Sequence, residues 1–283
     1  MILENGVYEG ERALYSSRDV EILRSVFRNG ESPLKESRGV SLFECRFEWK
    51  YPLWYCKDVT VNDCVLELTA RSGIWYTNNI TVTDCNISAP KTFRRCVGVV
   101  LNNVEMPNAQ ESMWSCKNVS LKDVHAVGDY FAMNCENIEA ENLNIDGNYV
   151  FDGSKNIVVR NSRLISKDSF WNCENVTVYD SLIVGEYLGW NSKNVKFVNC
   201  TIESNQGMCY MDGLVMENCR LVNTDLAFEY CTVDADICSD VVSIKNPISG
   251  RISVQSCGEV IMDPRYVDTS KTEIVVGGKK YEL

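Results

Sequence analysis

The 283-residue chain predicts an all-β fold: a single-stranded parallel β-helix, or solenoid, of about 13 coils of 19–21 residues. Three observations predict it. A phrase recurs at a nearly fixed interval along the chain. Each recurrence alternates apolar and polar residues with period two, the signature of a strand. Aligned recurrences also stack small residues into columns, as coils of equal length do.

The phrase is clearest in "FWNCENVTVYDSLI" from Phe170, with echoes in "YFAMNCENIEAENLNI" from Tyr130 and "EYLGWNSKNVKFVNCTI" from Glu186. Anchors fall at Asp58, Asn79, Gly98, Asn118, Asn137, Asn156, Asn175, Asn194 and Gly213, and the register extends to Asp19 and Gly39 before them and Thr232 and Arg251 after them. Helical repeats need roughly 33 residues or more, so this period excludes them. Leucine-rich repeats overlap in length, but their Leu spacing is absent. The chain is expected to form one domain over 1–283, with a cap at 1–14, coils over 15–261 and a second cap at 262–283.

Counting from each anchor, positions +1, +3, +6 and +8 are predicted to point inward. Position +5 is almost always Asx (Asp63, Asp84, Asn103, Asp123, Asn142, Asn161, Asp180, Asn199, Asn218), as stacked turns require, because Asx bonds nearby backbone and tolerates the left-handed conformation. Twelve of the 14 Cys occupy +6 (Cys45, Cys64, Cys85, Cys200, Cys219, Cys238, Cys257) or −2 (Cys56, Cys96, Cys116, Cys135, Cys173). Cys is a small, readily buried side chain, so both columns are expected to be inward ladders of free thiols.

Composition narrows the function classes. Net charge is −11 and no basic run is present, which argues against nucleic acid. No stretch approaches the ~18 apolar residues of a membrane helix. The opening residues lack a charged region followed by an apolar one, so a cytoplasmic location is expected. A single His leaves no basis for a metal site, and no cofactor is called for.

The phrases "GESPLKES", "KYPLWYCK", "GIWYT", "TFRRC", "GDYFAMN", "YVFDGSKN" and "LAFEYCTVDA" resemble the bacterial domain-of-unknown-function 3737 family over nearly the whole chain. That family is similar to the right-handed parallel β-helices of the pectate-lyase-like class. The resemblance implies right-handed coiling and brings no catalytic residue.

Two columns are candidates for function. Position −4 holds five of the six Trp (Trp54, Trp75, Trp114, Trp171, Trp190), interrupted by Arg94 and Asp152. Strand parity puts −4 on the same side as the Cys at −2 and so predicts an internal aromatic stack. Position −5 is also apolar (Leu53, Ile74, Phe93, Met113, Phe151, Phe170), so a bend there would instead turn the indoles outward as platforms for sugar rings. A charge inside the column would need a partner, so either these coils open to solvent or Arg94 meets a carboxylate. The second candidate is the connection at +11 and +12, expected to be a solvated edge, where Tyr and carboxylates recur over the middle coils. The predicted binding residues are Asp129, Tyr130, Tyr149, Asp152, Asp168, Glu186 and Tyr187. The expected ligand is a saccharide, and an enzyme built here would be a carbohydrate-active hydrolase or lyase, since paired carboxylates are the minimum for glycoside cleavage. The alternative is a non-catalytic scaffold that self-associates into a homo-oligomer through its flat faces. His125 at +7 is expected to be an inert surface residue.

Overall fold

A computed structural model describes residues 1–282. Among them the chain forms a parallel β-solenoid of about 14 turns, one more than the repeat count gives. The stack runs past the anchors at both ends: strands Ile2–Glu4 and Val7–Glu9 pair in parallel with Arg18–Leu23 and Val26–Arg28, and Thr272–Val276 pairs in parallel with Ser249–Val254. The chain divides into two compact units, Met1–Asp146 and Gly147–Leu283.

In the first unit, the +1 residues line up as Val20, Val40, Val59, Ile80, Val99, Val119 and Ile138, each paired with its neighbours in parallel register. None is more than 3% exposed. In the second unit the same column runs Ile157, Val176, Val195, Leu214 and Val233. Strands hold here because β-branched side chains fill a face that every coil buries against the next.

The corners are left-handed residues, and at the anchor and +5 Asx supplies most of them. Asp63, Asn103 and Asn142 at +5 have φ of 51°, 51° and 55°. Their side chains join along the axis: Asn103 Nδ2 donates to Asp84 Oδ1 at 2.6 Å and Asn142 Nδ2 to Asp123 Oδ1 at 2.7 Å. The anchor position forms a second such ladder, with Asn79 donating to Asp58 at 2.8 Å and Asn194 to Asn175 at 3.1 Å.

A third left-handed corner at −3 corrects the parity argument. Tyr55, Tyr76 and Ser115 have φ of 57°, 57° and 54° in the first unit, and Asn172 and Asn191 have 52° and 58° in the second. A left-handed residue resets strand alternation, so −2 and −5 point inward while −4 points out. Leu53, Ile74, Phe93, Met113, Phe151 and Phe170 are buried to within 1%, whereas Trp54, Trp75, Trp114, Trp171 and Trp190 are half-buried.

Twelve of the 14 Cys are buried and all are thiols in the structure. Their role explains why Cys and Ser interchange in these columns. The Cys45 N–H donates to Cys64 Sγ at 3.2 Å, and Cys64 Sγ faces the Asn62 carbonyl at 3.2 Å. Ser25 makes the same pair of bonds, accepting from Gly6 N–H and donating to the Leu23 carbonyl. At −2, Cys173 N–H donates to Ser192 Oγ at 2.9 Å. Burial pushes the Cys56 and Cys173 thiols up to about 12.

The expected +6 column fails at its C-terminal end. The register shifts between Met216 and Cys219, so Cys219 pairs with Ile237, which is 2% exposed, and Cys238 is left exposed. One residue fewer between Ala235 and Ile237 accounts for the slip. Cys231, which lies in neither expected column, is buried, and its Sγ accepts from Met211 N–H at 3.2 Å. The next coil pairs Thr232 with Ser249 rather than Arg251. Gly250 faces Val233 there with φ +115°, and a Cβ would lie 1.9 Å from the Val233 carbonyl oxygen. Cys257 sits half-buried in a separate two-stranded sheet, Asp240–Lys245 with Ser256–Ile261. The last strand, Thr272–Val276, is covered in antiparallel fashion by Lys279–Lys280.

Candidate functional site

The outward turn at −4 gives the first unit an aromatic stripe. Trp54 and Trp75 lie parallel, centroids 5.0 Å apart and 7° from coplanar. The Arg94 guanidinium then sits 4.6 Å from the Trp75 ring and 4.5 Å from the Trp114 ring. Being flat, it continues the stack as a ring would. The carboxylate it meets is Glu111, 3.8 Å from Arg94 Nη2 and 2.9 Å from Lys91 Nζ. Arg94 Nε and Nη2 are buried without a hydrogen bond. Each indole N–H donates to a carbonyl of the following coil: Trp54 to Ser72, Trp75 to Lys91 and Trp114 to Tyr130, at 2.6–2.8 Å. Both faces of Trp75 are therefore covered, and this part of the stripe offers ring edges rather than platforms.

Asp129 and Tyr130 belong to this unit and are half-buried. Asp129 N–H donates to Gln110 Oε1 at 3.2 Å, and Tyr130 stands edge-on to Trp114 at 6.4 Å and 81°. His125 is exposed, with Nδ1 3.0 Å from Glu105 Oε2.

The second unit holds Tyr149, Asp152, Asp168, Glu186 and Tyr187. Here the two candidate columns meet on one surface. Trp171, Trp190, Tyr210 and Tyr230 follow one another at 6.0, 4.8 and 5.2 Å, tilted by 36–41°. Tyr149 stands edge-on to Trp171 at 5.8 Å and 89°, and Tyr187 edge-on to Trp190 at 6.2 Å and 82°. The Trp171 indole N–H donates to the Tyr187 carbonyl at 2.7 Å, tying the column to the edge. Lys167 Nζ lies 3.3 Å from Glu186 Oε2 and 5.6 Å from the centre of the Tyr187 ring.

Asp168 departs from expectation. A solvated edge predicts an exposed carboxylate, yet Asp168 is 2% exposed and its Oδ1 has no hydrogen-bond partner. Burial pushes its carboxyl above the ordinary range, with Glu186 and Asp152 adding to the rise. Lys167 and the hydrogen bond from the Tyr149 hydroxyl oppose it. Such a group favours its neutral form more than an exposed Asp does. Asp152 serves the scaffold, since its Oδ1 accepts from Asn172 Nδ2 at 3.1 Å, at the start of an amide ladder that continues to Asn191.

One cleft was not among the predicted sites. It measures about 400 Å³ and is lined by Arg28, Asn29, Arg46, Glu48, Trp49, Glu67 and Thr69 in the first unit. The available signal was Trp49 itself, the one Trp outside the −4 column. Among the described residues, no helix is long and apolar enough to cross a membrane.

Three solved structures with similar backbones span tailspike, resistance and epimerase proteins. A mutant tailspike protein of Escherichia coli bacteriophage HK620, in complex with a pentasaccharide, is 9% identical with a TM-score of 0.46, over 96% of this chain and 72% of that one. QnrB1, a plasmid-mediated fluoroquinolone resistance protein, is 14% identical with a TM-score of 0.25, over 79% of this chain and 92% of that one. The A-module of the Azotobacter vinelandii mannuronan C-5 epimerase AlgE4 is 10% identical with a TM-score of 0.31, over 92% and 86%. None of them carries a substrate or a reaction over to this chain. No curated protein matches it. The sequence model of one family, described as "Protein of unknown function (DUF3737)", matches residues 1–275, and the chain belongs to that family.

Proposed function

We propose that the protein recognises a saccharide on the aromatic and acidic face of its second unit, through Tyr149, Asp168, Glu186 and Tyr187. The observation that carries this reading is the joining of the two columns. Tyr149 and Tyr187 stand edge-on against the outward Trp171 and Trp190, on the same edge as Asp168 and Glu186. A sugar presents apolar C–H patches beside hydroxyls; the half-buried Tyr rings match the first and the exposed Glu186 carboxylate the second, with the buried Asp168 holding the Tyr149 hydroxyl behind them. Hydrolysis or lysis of that saccharide is a second reading, favoured by one observation: Asp168 has its proton affinity raised by burial, as a general acid requires. The cysteines, in the thiol form among the described residues, fit a reducing, cytoplasmic setting.

Binding to an oligosaccharide panel, compared between wild type and a Tyr149→Ala, Tyr187→Ala double variant, tests the site. Weakened binding in the double variant is expected, and unchanged binding would remove the site. Absence of binding across the panel would favour a self-associating scaffold, which sedimentation velocity would then register as a homo-oligomer.

A further inference from the structure

We propose that the Trp49 cleft of the first unit is a separate subsite for an uncharged saccharide chain. This rests on the saccharide reading above and adds a place and a charge class to it. Trp49 differs from the Trp of the stripe in having no ring stacked on it among the described residues, and it is 37% exposed. The Lys50 ammonium lies over the indole at 5.4 Å, which leaves the opposite face for a ligand. Trp49 lines the cleft, so it supplies there the platform that the mutually covered Trp54 and Trp75 cannot.

The polar lining and the adjacent Lys50 are paired, with one carboxylate more in these pairs than cations. Arg46 is clamped between Glu48 at 3.1 Å and Glu67 at 2.7 Å. Arg28 pairs with Glu9 at 2.7 Å, and Lys50 with Glu31 at 2.9 Å. Each cation that lines the cleft, and Lys50 beside it, thus has a carboxylate, and Arg46 has two, so an anionic sugar finds no unpaired charge in the lining. The same groups keep spare guanidinium N–H donors and carboxylate lone pairs, which suit hydroxyls. Their positions come from rigid backbone: Glu48 N–H donates to Phe27 O and Glu67 N–H to Phe47 O, both at 2.9 Å, over the buried Phe27–Phe47 stack. Three successive coils contribute, spanning about 10 Å at the strand spacing. That length accommodates a short run of sugar rings rather than one monosaccharide.

The test uses two panels: neutral oligosaccharides of glucose, xylose and mannose, and oligogalacturonides as the acidic counterpart. Wild type is expected to bind within the neutral panel, and Trp49→Ala to weaken that binding about tenfold without moving the urea midpoint. Glu67→Gln frees part of Arg46 and is expected to raise the affinity for the acidic panel relative to the neutral one. Neutral binding that survives Trp49→Ala overturns the subsite while leaving the saccharide reading intact. Wild-type binding confined to the acidic panel overturns the charge class. Binding to neither panel overturns both the subsite and the reading on which it rests.

Discussion

Replacing Asp168 with Asn is expected to stabilise the protein at neutral pH and to leave it nearly unchanged in acid. Asp168 is 2% exposed, the Tyr149 hydroxyl bonds its carboxylate, and Oδ1 is orphaned. A buried polar atom left without a partner costs about 1–3 kcal/mol, more when it carries charge. Asn keeps an acceptor for Tyr149 and removes the charge, although its amide nitrogen takes over the orphaned position. The favourable difference is therefore the charged part of the penalty, about 1 kcal/mol, held to that size by the screening ammonium of Lys167. The left-handed φ of 62° at this residue also suits Asn. The pH dependence follows from the direction of the shift. A carboxyl raised above its ordinary 3.8 contributes stability that is complete below 3.8 and is lost as pH rises through the folded value. Wild type has lost it at pH 7, and the Asn variant never had it to lose. Urea midpoints for both proteins at pH 4 and pH 7 check this: the gap in favour of the variant should open between the two. A variant less stable than wild type at pH 7, or a gap independent of pH, refutes the account of Asp168. A more stable variant that no longer binds saccharide would mark Asp168 as a residue retained for function at a cost in stability.

Native thiol labelling should be slow for the twelve buried Cys and fast for Cys238, with Cys257 between them; rapid labelling of most thiols, or disulfides along either column, contradicts the buried ladders. Val178→Asp places a charge at a fully buried position and should destabilise by about 3 kcal/mol or more. Lys196→Gln removes only an exposed pair with Glu217 and should leave the urea midpoint in place, so equal midpoints for these two variants would contradict the register.

The repeat was legible because one residue type answers one backbone demand. Left-handed corners select Asx, and Asn79, Asn118 and Asn175 therefore announce the coil wherever they fall. Period two then orients Val59 or Val176 inward with no further information. The failures have separate causes. At −3 the Asx signal is diluted: Asn172 and Asn191 are left-handed there, but so are Tyr55, Tyr76 and Ser115, types that carry no such signal, so the outward turn of the Trp column was hidden. A coil one residue short cannot be seen from a column of Cys alone, so Cys238 was placed where Ile237 packs. The Tyr and acid edge was legible as a composition, but the burial of Asp168 depends on how Tyr149 covers it. The cleft at Trp49 is built from salt-bridge geometry, which spacing does not encode.

The amide ladders have a direction, and that gives the molecule a chemical clock. Asn199 Nδ2 donates to Asp180 Oδ1 at 3.1 Å, and Asn218 Nδ2 donates to Asn199 Oδ1 at 2.9 Å. Each amide gives its hydrogen toward the N-terminal neighbour, so an Asp can begin such a run but cannot continue it. Spontaneous deamidation of Asn199 would erase the donor and set two carboxylates face to face at hydrogen-bonding distance, where like charges cannot both ionise freely. Hydrolysis of Asn218 would cost only one bond between neutral partners, replaced by a carboxylate facing an amide. Ageing of a purified sample should thus be uneven along the ladder, with lesions beside Asp180, Asp123 and Asp84 doing more harm than those between two asparagines.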